Sequence, residues 1–176
     1  MKKVLLLLTM ILTVSVVFSQ TGEKKNMQQL PSVDVRTMEG EPFNTSQISN
    51  DGKPIILSFW ALWCKPCIRE LNTISEVYDE WIEETGVKLV AVSIDDTRSS
   101  SQVATFVNGQ AWDYEVLLDP NSDFKREMNV NLIPHTFLID GKGNIVWQHT
   151  SFSEGAELEL IDQVRKVAKG ESPDNH

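Results

Sequence analysis

The segment PIILSFWALWCKPC, residues 54–67, carries the strongest structural signal in this chain. Its first half is an almost unbroken apolar run, which is typical of a β-strand buried on both faces of a sheet. After Cys67 the apolar residues recur at steps of three and four, which predicts an amphipathic helix that begins near Cys64 and ends near Gly86. A central strand therefore runs directly into a helix that carries two cysteines at its start.

These two cysteines, Cys64 and Cys67, are the only ones in the chain. A structural disulfide stabilises most when it closes a long loop, and a bond across two intervening residues constrains the unfolded chain very little. A zinc site would need two more ligands at matching spacing, and His135, His149 and His176 lack that spacing. The pair is therefore predicted to be redox-active, with no metal site.

The remaining segments alternate between strand and helix, as in a layered α/β domain. Residues 33–37 and 42–45 flank a turn that contains a glycine, which predicts an N-terminal β-hairpin. Further strands are predicted over residues 87–94, 114–118, 134–139 and 144–149. Further helices are predicted around Val103 to Val107, over 123–128 and over 154–168. The candidate N-terminal caps of the first of these helices are Asp95, Asp96 and Thr97.

The composition predicts one globular domain and excludes several classes of protein. The 176 residues are 41% hydrophobic and 23% charged, which is enough apolar material for a single core. The 16 Lys and Arg are outnumbered by 25 Asp and Glu, giving a net charge of −9, and the basic residues are scattered along the chain. A nucleic-acid partner is therefore not expected.

The chain begins with two lysines and an apolar run over residues 4–18, which is typical of a secretory signal peptide. This run is shorter than a membrane-spanning helix needs, and small or β-branched residues precede a cut before Gln20; an uncleaved anchor is the alternative. We predict a signal peptide over 1–19, a linker over 20–29, a domain over 30–170 and a flexible tail over 171–176. The protein is then expected in the periplasm or on the outer face of the cytoplasmic membrane.

Two stretches carry a family resemblance. FWALWCKPC (residues 59–67) resembles the active-site signature of the thioredoxin superfamily, and IPHTF (residues 133–137) resembles its cis-proline loop. With the hairpin, the extra segment between residues 87 and 119, and VSIDD (residues 92–96), the pattern resembles the TlpA/ResA-like thiol-disulfide reductases. The resemblance implies an α/β thioredoxin-like fold, a central mixed β-sheet flanked by helices, with an N-terminal β-hairpin and an inserted helix and strand.

Cys64 is predicted to be the nucleophile. A sulfur at a helix start meets unpaired N–H groups and the positive end of the helix dipole, and both favour the thiolate. Lys65 adds a positive charge that favours the thiolate further, with a solvated surface lysine as the alternative. Pro66 fits the first turn, where a missing N–H costs nothing, and it holds the two sulfurs in a fixed relation. Cys67, one turn deeper, is predicted to resolve the mixed disulfide that Cys64 forms with a partner.

The resemblance also implies the substrate-binding residues. It implies that Pro134 is a cis-proline opposite the two sulfurs, that the Ile133 backbone can pair with an extended substrate, and that Trp63 lies beside the active site. An ordinary trans proline at the start of a strand is the alternative for Pro134. His135 can tune a thiol, but a packed and hydrogen-bonded histidine is the commoner role at the start of a buried strand.

Proton transfer at this site is expected to differ from that in cytoplasmic thioredoxins. Those proteins carry a buried aspartate six positions before the first cysteine, where this chain has Ser58. Glu70 lies three residues after Cys67 on the same helical face, and it matches the acidic residue that ResA-like reductases keep near their cysteines. We predict that Glu70 takes the proton of Cys67. The alternative is that Glu70 has no role in the chemistry and is simply an acidic residue that the helix dipole favours in the first turns of a helix.

The sequence therefore predicts an exported thiol-disulfide oxidoreductase that reduces disulfides of exported proteins. The resemblance suggests apocytochrome c thiols as the first candidate substrate and a membrane protein of the thiol-reducing type as the electron donor. No organic cofactor is needed, because both electrons reside on sulfur.

Two other functions stay open at this point. A DsbA-like oxidase would run the same motif in the opposite direction. A copper or other metal chaperone would hold an ion between Cys64, Cys67 and His135, since soft thiolates suit Cu(I). A peroxidase is less favoured, because Ala61 occupies the threonine position of the peroxiredoxin Thr-x-x-Cys pattern.

Overall fold

The computed structural model describes residues 28–174. The predicted signal peptide (1–19), most of the predicted linker (20–29) and the last two residues of the predicted tail (171–176) lie outside the described residues. No helix within residues 28–174 is long and apolar enough to cross a bilayer.

The order of strands and helices follows the sequence prediction closely. The structure contains β1 (Asp34–Thr37), β2 (Pro42–Asn44), β3 (Ile55–Trp60), α1 (Lys65–Thr85), β4 (Lys88–Ser93), α2 (Ser100–Gln110), β5 (Glu115–Leu118), α3 (Asp123–Glu127), β6 (His135–Ile139), β7 (Ile145–Thr150) and α4 (Ala156–Ala168). A short 3-10 turn, Thr45–Gln47, follows β2.

The seven strands of the described residues form one mixed sheet in the order β2-β1-β5-β4-β3-β6-β7. The β3, β4 and β5 strands are parallel to one another, and the other neighbouring strands pair antiparallel. Every residue of β3 is buried. The predicted fold class, with its hairpin and with α2 and β5 as the inserted segment, is therefore confirmed.

The sheet has a hydrophobic core on each face. The helices α1, α2 and α4 cover one face, where Trp60, Leu71 and Leu160 are buried together. The short helix α3 covers the other face through Phe124, which packs against Phe59 with ring centroids 5.2 Å apart. Because alternate residues of a strand point to opposite faces, Ser58 and Trp60 point toward α1 while Phe59 points away from it.

Helix α1 is the element that carries the cysteines, and its two ends have clear physical causes. Cys64 is the N-cap, and Pro66 stands in the first turn, where a proline is tolerated. Gly86 ends the helix in the left-handed conformation, with φ of 67°, and its N–H donates to the carbonyl of Ile82. The predicted limits of the helix agree with both ends.

The predicted caps of α2 are wrong. Ser99 is the N-cap, without a side-chain cap hydrogen bond. Asp96 instead accepts hydrogen bonds from the N–H groups of Arg98 and Ser99 in the preceding turn. Asp95 turns inward, toward the loop that precedes the cysteines. Short-range cap rules miss this, because the partner of Asp95 is far away in the sequence.

The described part of the predicted tail packs against α4. The backbone N–H of Asp174 donates to the side-chain oxygen of Gln163 at 2.8 Å, and the Asp174 carboxylate pairs with Lys166. These contacts hold residues 171–174 close to the end of the helix.

Candidate active site

The two cysteines lie at the end of the sheet where β3 stops. β3 ends at Trp60 and α1 begins at Lys65, so Cys64 closes a short connection between them. On the neighbouring strand β6, His135 pairs with Phe59, which brings Pro134 next to this connection. The Ile133–Pro134 peptide bond is cis, as the family resemblance implied.

Cys64 and Cys67 are joined by a disulfide in this structure. The Cys67 backbone N–H donates to Cys64 Sγ at 3.3 Å, so the first sulfur meets the N-terminus of α1 as predicted. Cys67 is fully buried and Cys64 is 4% exposed, while Lys65 is exposed at the first helical position. This geometry agrees with Cys64 as the more accessible sulfur and with a helix start that stabilises its thiolate. The assignment of nucleophile and resolving thiol stays a prediction.

Asp95, two residues beyond the end of the neighbouring strand β4, supports the loop before the cysteines. Its Oδ2 accepts the backbone N–H of Leu62 at 2.9 Å and the hydroxyl of Ser93 at 2.9 Å. Asp95 is 2% exposed, although the sequence suggested only a helix cap. A buried carboxylate that holds a loop amide fixes the path of the chain into Cys64.

Two large apolar side chains are exposed in the loops that lead to Cys64 and to Pro134. Trp63, directly before Cys64, is 68% exposed, and Leu132, in the loop before Pro134, is 73% exposed. Ile133 lies between the two cores and is partly buried. The sequence singled out Trp63, Ile133 and Pro134 but not Leu132, because an isolated leucine in a polar loop gives no periodic signal. An exposed apolar surface at this position suits contact with a protein substrate.

Glu70 lies inside the protein rather than on the surface of α1. Its residue exposure is 2%, and its carboxylate is surrounded by side chains from three strands. Oε1 lies 2.9 Å from His149 Nε2 and 3.2 Å from Thr136 Oγ1, while Oε2 lies 3.4 Å from Ser58 Oγ. We call Glu70 with these three partners the buried polar cluster.

The three partners of Glu70 form a row across the sheet. Ser58 on β3 pairs with Thr136 on β6, and Thr136 pairs with His149 on β7. The sequence alone points to Glu70 and Ser58, but it does not point to Thr136 or His149 as their partners. The signal that could have found them is strand alternation: once the register of the three strands is known, the three polar residues stand on one face.

His135 points to the opposite face of the sheet from this cluster. Its ring stacks on Phe137 with centroids 4.4 Å apart, and its Nε2 lies 3.1 Å from Gln148 Oε1. Phe137 belongs to the core on the α3 face, whereas both cysteines belong to the core under α1. Because His135 and the cysteines lie on different faces, the structure does not support the three-ligand metal site considered from the sequence. Among residues 28–174, no group of three or more His, Cys, Asp and Glu could hold a metal ion.

The fold and the site together define a class of protein. A mixed sheet leads from its buried central strand into a helix that starts with a disulfide, and a cis-proline loop lies beside it. This is the arrangement of a thioredoxin-like thiol-disulfide oxidoreductase.

Comparison with known proteins agrees with this class. Residues 27–148 match the model of the AhpC/TSA family. The thiol-disulfide oxidoreductase ResA of Bacillus thuringiensis is 30% identical over 83% of this chain and 82% of its own length. Sporulation thiol-disulfide oxidoreductase A of Bacillus subtilis is 31% identical over 82% of this chain and 87% of its own length.

A solved structure is also similar. An uncharacterized thioredoxin-like protein from Porphyromonas gingivalis superposes with a TM-score of 0.73 and 51% identity, covering 84% of this chain and 97% of that protein. The chain therefore belongs to the AhpC/TSA family of thioredoxin-like proteins, and it is a thiol-disulfide oxidoreductase of the ResA-like kind.

Titration of His135 is predicted to make stability depend on pH. Burial lowers the pKa of His135 below its usual 6.5, and the nearby His149 acts in the same direction. The neutral ring therefore contributes stability above pH 6.5, and this contribution is lost as the pH falls from 6.5 through the lower folded-state pKa. His135→Phe keeps the stacked ring and cannot titrate. Urea unfolding at neutral and mildly acidic pH should show a steeper loss of stability in the wild type than in this variant; parallel curves would contradict the assignment.

Removal of the Asp95 carboxylate is predicted to loosen the loop before Cys64. Asp95→Ala leaves the Leu62 N–H without its acceptor, so the free energy of unfolding should fall by about 1–3 kcal/mol. Amide hydrogen exchange at Leu62 should become faster. Asp95→Asn should lower the free energy of unfolding by less, because the amide oxygen of the asparagine can still accept the same hydrogen bond. Asp96→Ala is the matched control and should leave exchange at Leu62 unchanged; unchanged exchange in Asp95→Ala would show that the contact does not hold the loop.

Proposed function

We propose that this oxidoreductase works as a reductase of disulfides in exported proteins. The observation that carries the proposal is the position of Glu70, an acid buried on α1 one turn after Cys67. A carboxyl group buried one helical turn from the second cysteine can accept the thiol proton that must leave when the disulfide forms, which favours the passage from dithiol to disulfide. A dithiol that readily becomes a disulfide is a strong reductant.

The reaction begins from the dithiol form. The Cys64 thiolate attacks a disulfide of the substrate, forms a mixed disulfide and releases one substrate thiolate. Cys67 then attacks the sulfur of Cys64, which forms the intramolecular disulfide seen here and releases the second substrate thiolate. Two electrons pass from the two cysteines to the substrate, so the chemistry requires no organic cofactor.

Glu70 is proposed to accept the proton that Cys67 loses in the second step. The Cys67 thiol is fully buried, so water has poor access to its proton. A carboxylate one helical turn away is a suitable acceptor, and its other contacts, to hydroxyl and imidazole groups, hold it inside the protein.

The exposed apolar surface of Trp63 and Leu132 is proposed to contact the substrate. Trp63 directly precedes Cys64, Leu132 lies two residues before Pro134, and the backbone of Ile133 is proposed to pair with an extended segment of the substrate. The scattered basic residues and the net charge of −9 give no support to a nucleic-acid partner.

The cellular context is part of the same proposal. The N-terminal signal pattern and the ResA-like relatives support export to the periplasm or the outer face of the cytoplasmic membrane. A reductase in such a compartment needs a supply of electrons, and a membrane protein of the thiol-reducing type would provide it. Apocytochrome c thiols awaiting haem are the first candidate substrate.

The reduction potential of the Cys64–Cys67 pair tests the direction of electron flow. We expect a value near or below roughly −220 mV, measured by equilibration in graded dithiol buffers and alkylation of free thiols. A value near about −120 mV would make the protein an oxidase of the DsbA type and overturn the proposal. Cys67→Ser should trap a mixed disulfide with the substrate, and Cys64→Ser should form none.

Replacement of the acid tests the role of Glu70. Glu70→Gln keeps the size and polarity of the side chain but cannot accept a proton, so resolution of the mixed disulfide should slow by about 100-fold or more. Quench-flow with mass detection of the mixed disulfide measures this rate. Glu80→Gln, an exposed position on the same helix, makes the same change in charge and should react as the wild type does. Equal rates in the two variants would remove Glu70 from the mechanism.

A further inference from the structure

The buried polar cluster raises the question of where a proton on Glu70 goes. Glu70 is 2% exposed, and its partners Ser58 and Thr136 are each fully buried. The hydroxyl oxygens of Ser58 and Thr136 lie 3.0 Å apart, and both groups also contact Glu70. A proton that moved to either hydroxyl would therefore stay within the buried polar cluster. Neither of them leads to solvent.

His149 is the member of the cluster that reaches water. Its side chain is 18% exposed, while its Nε2 lies 2.9 Å from Glu70 Oε1. The ring packs edge-on against Trp147, with centroids 5.0 Å apart, which fixes its orientation. An imidazole can take a proton on one nitrogen and release one from the other, so a ring with one nitrogen on a buried acid and an edge in water suits proton transfer.

We propose that His149 carries protons between the buried carboxyl of Glu70 and solvent, and so acts on the disulfide chemistry through Glu70. The inference rests on the proposed function, because it assigns the route for the proton that Glu70 accepts. His149 is a positioning and proton-conducting residue and does not touch the sulfurs.

The step balances without any further reactant. Cys67 loses its proton to Glu70 as its sulfur forms the bond to Cys64, and the bond between Cys64 and the substrate sulfur breaks. The electron pair of that bond leaves with the substrate thiolate. In the same step the proton passes from Glu70 to His149 Nε2 while the proton on the other ring nitrogen, Nδ1, leaves to water, so the ring ends as a hydrogen-bond donor to the Glu70 carboxylate. Re-reduction of the disulfide runs the same route in reverse.

The location of the two described histidines makes the assignment specific to His149. His135 is on the next strand but faces the α3 side of the sheet, where it contacts Phe137 and Gln148. His149 stands in register with Thr136, on the same face as Glu70. The two histidines share a chemistry, but only His149 contacts the acid.

The experiment measures resolution of a mixed disulfide in a single turnover. Reduced protein is mixed with oxidised glutathione and quenched with acid, and the mass of the glutathione adduct reports its lifetime. His149→Gln keeps a donor to Glu70 but cannot carry a proton. We expect the adduct to live about 100-fold longer in this variant, the lower end of the contribution of a positioned acid or base. A wild-type lifetime in His149→Gln would overturn the proposal, since a merely structural hydrogen bond is preserved.

Chemical rescue separates proton transfer from packing. His149→Ala opens space for a small base, and added imidazole at fixed pH and ionic strength should shorten the adduct lifetime in proportion to its concentration. The wild type should not respond. A slow His149→Ala variant that is insensitive to imidazole would assign the residue a packing role and overturn the proposal. If His149→Gln lacks the near-ultraviolet circular dichroism of the wild type, His149→Asn replaces it in the first experiment.

A double variant tests whether His149 acts through Glu70. Glu70→Gln combined with His149→Gln should be no slower than Glu70→Gln alone, because the route is already closed at its first member. If the two single variants slow resolution of the mixed disulfide by factors that multiply in the double variant, His149 acts independently of Glu70. Normal rates in Glu70→Gln would instead contradict the proposed role of Glu70, and slow Glu70→Gln with normal His149→Gln would contradict the inference alone.

Discussion

The junction between β3 and α1 is the constraint on which the rest of the site depends. β3 is held between β4 and β6 and is buried throughout, so its end is fixed in space. The helix must begin within a few residues, and Cys64 becomes its N-cap with a sulfur that accepts the Cys67 N–H. Asp95, just after β4, holds this connection through the N–H of Leu62. The reactive sulfur is therefore positioned by a fully buried strand that is paired on both sides, and an element held in this way keeps a reactive group in a fixed geometry.

An acid inside the core requires its own set of partners, and the sheet supplies them. A buried carboxylate is costly unless hydrogen-bond donors surround it. Ser58, Thr136 and His149 provide these donors because the registers of β3, β6 and β7 align them under Glu70. A shift of one residue in the pairing of β3 with β6 would turn Thr136 toward the α3 face, and a shift in the pairing of β6 with β7 would do the same to His149. The chemistry of Glu70 is thus coupled to the pairing of three strands.

Local patterns explain what the sequence could predict. The apolar run of β3, the helical period after Cys67 and the hairpin turns are short-range signals, and the strands and helices that they predicted are present. The roles of Asp95 and His149 could not be predicted in the same way. Asp95 contacts Leu62 and His149 contacts Glu70, and both contacts join residues far apart in the chain, so they depend on strand register rather than on any local pattern.

His135 and His149 show why residue type alone does not identify a functional group. Both lie on neighbouring strands, and both are partly buried. His135 lies on the same face of the sheet as Phe137 and stacks on its ring. Burial there lowers the pKa of His135 and favours its neutral form. His149 lies on the same face of the sheet as Trp147 and contacts the carboxyl group of Glu70. The hairpin between β6 and β7 sets which face each ring occupies, and so a turn remote from the cysteines decides which histidine is available to the thiol chemistry.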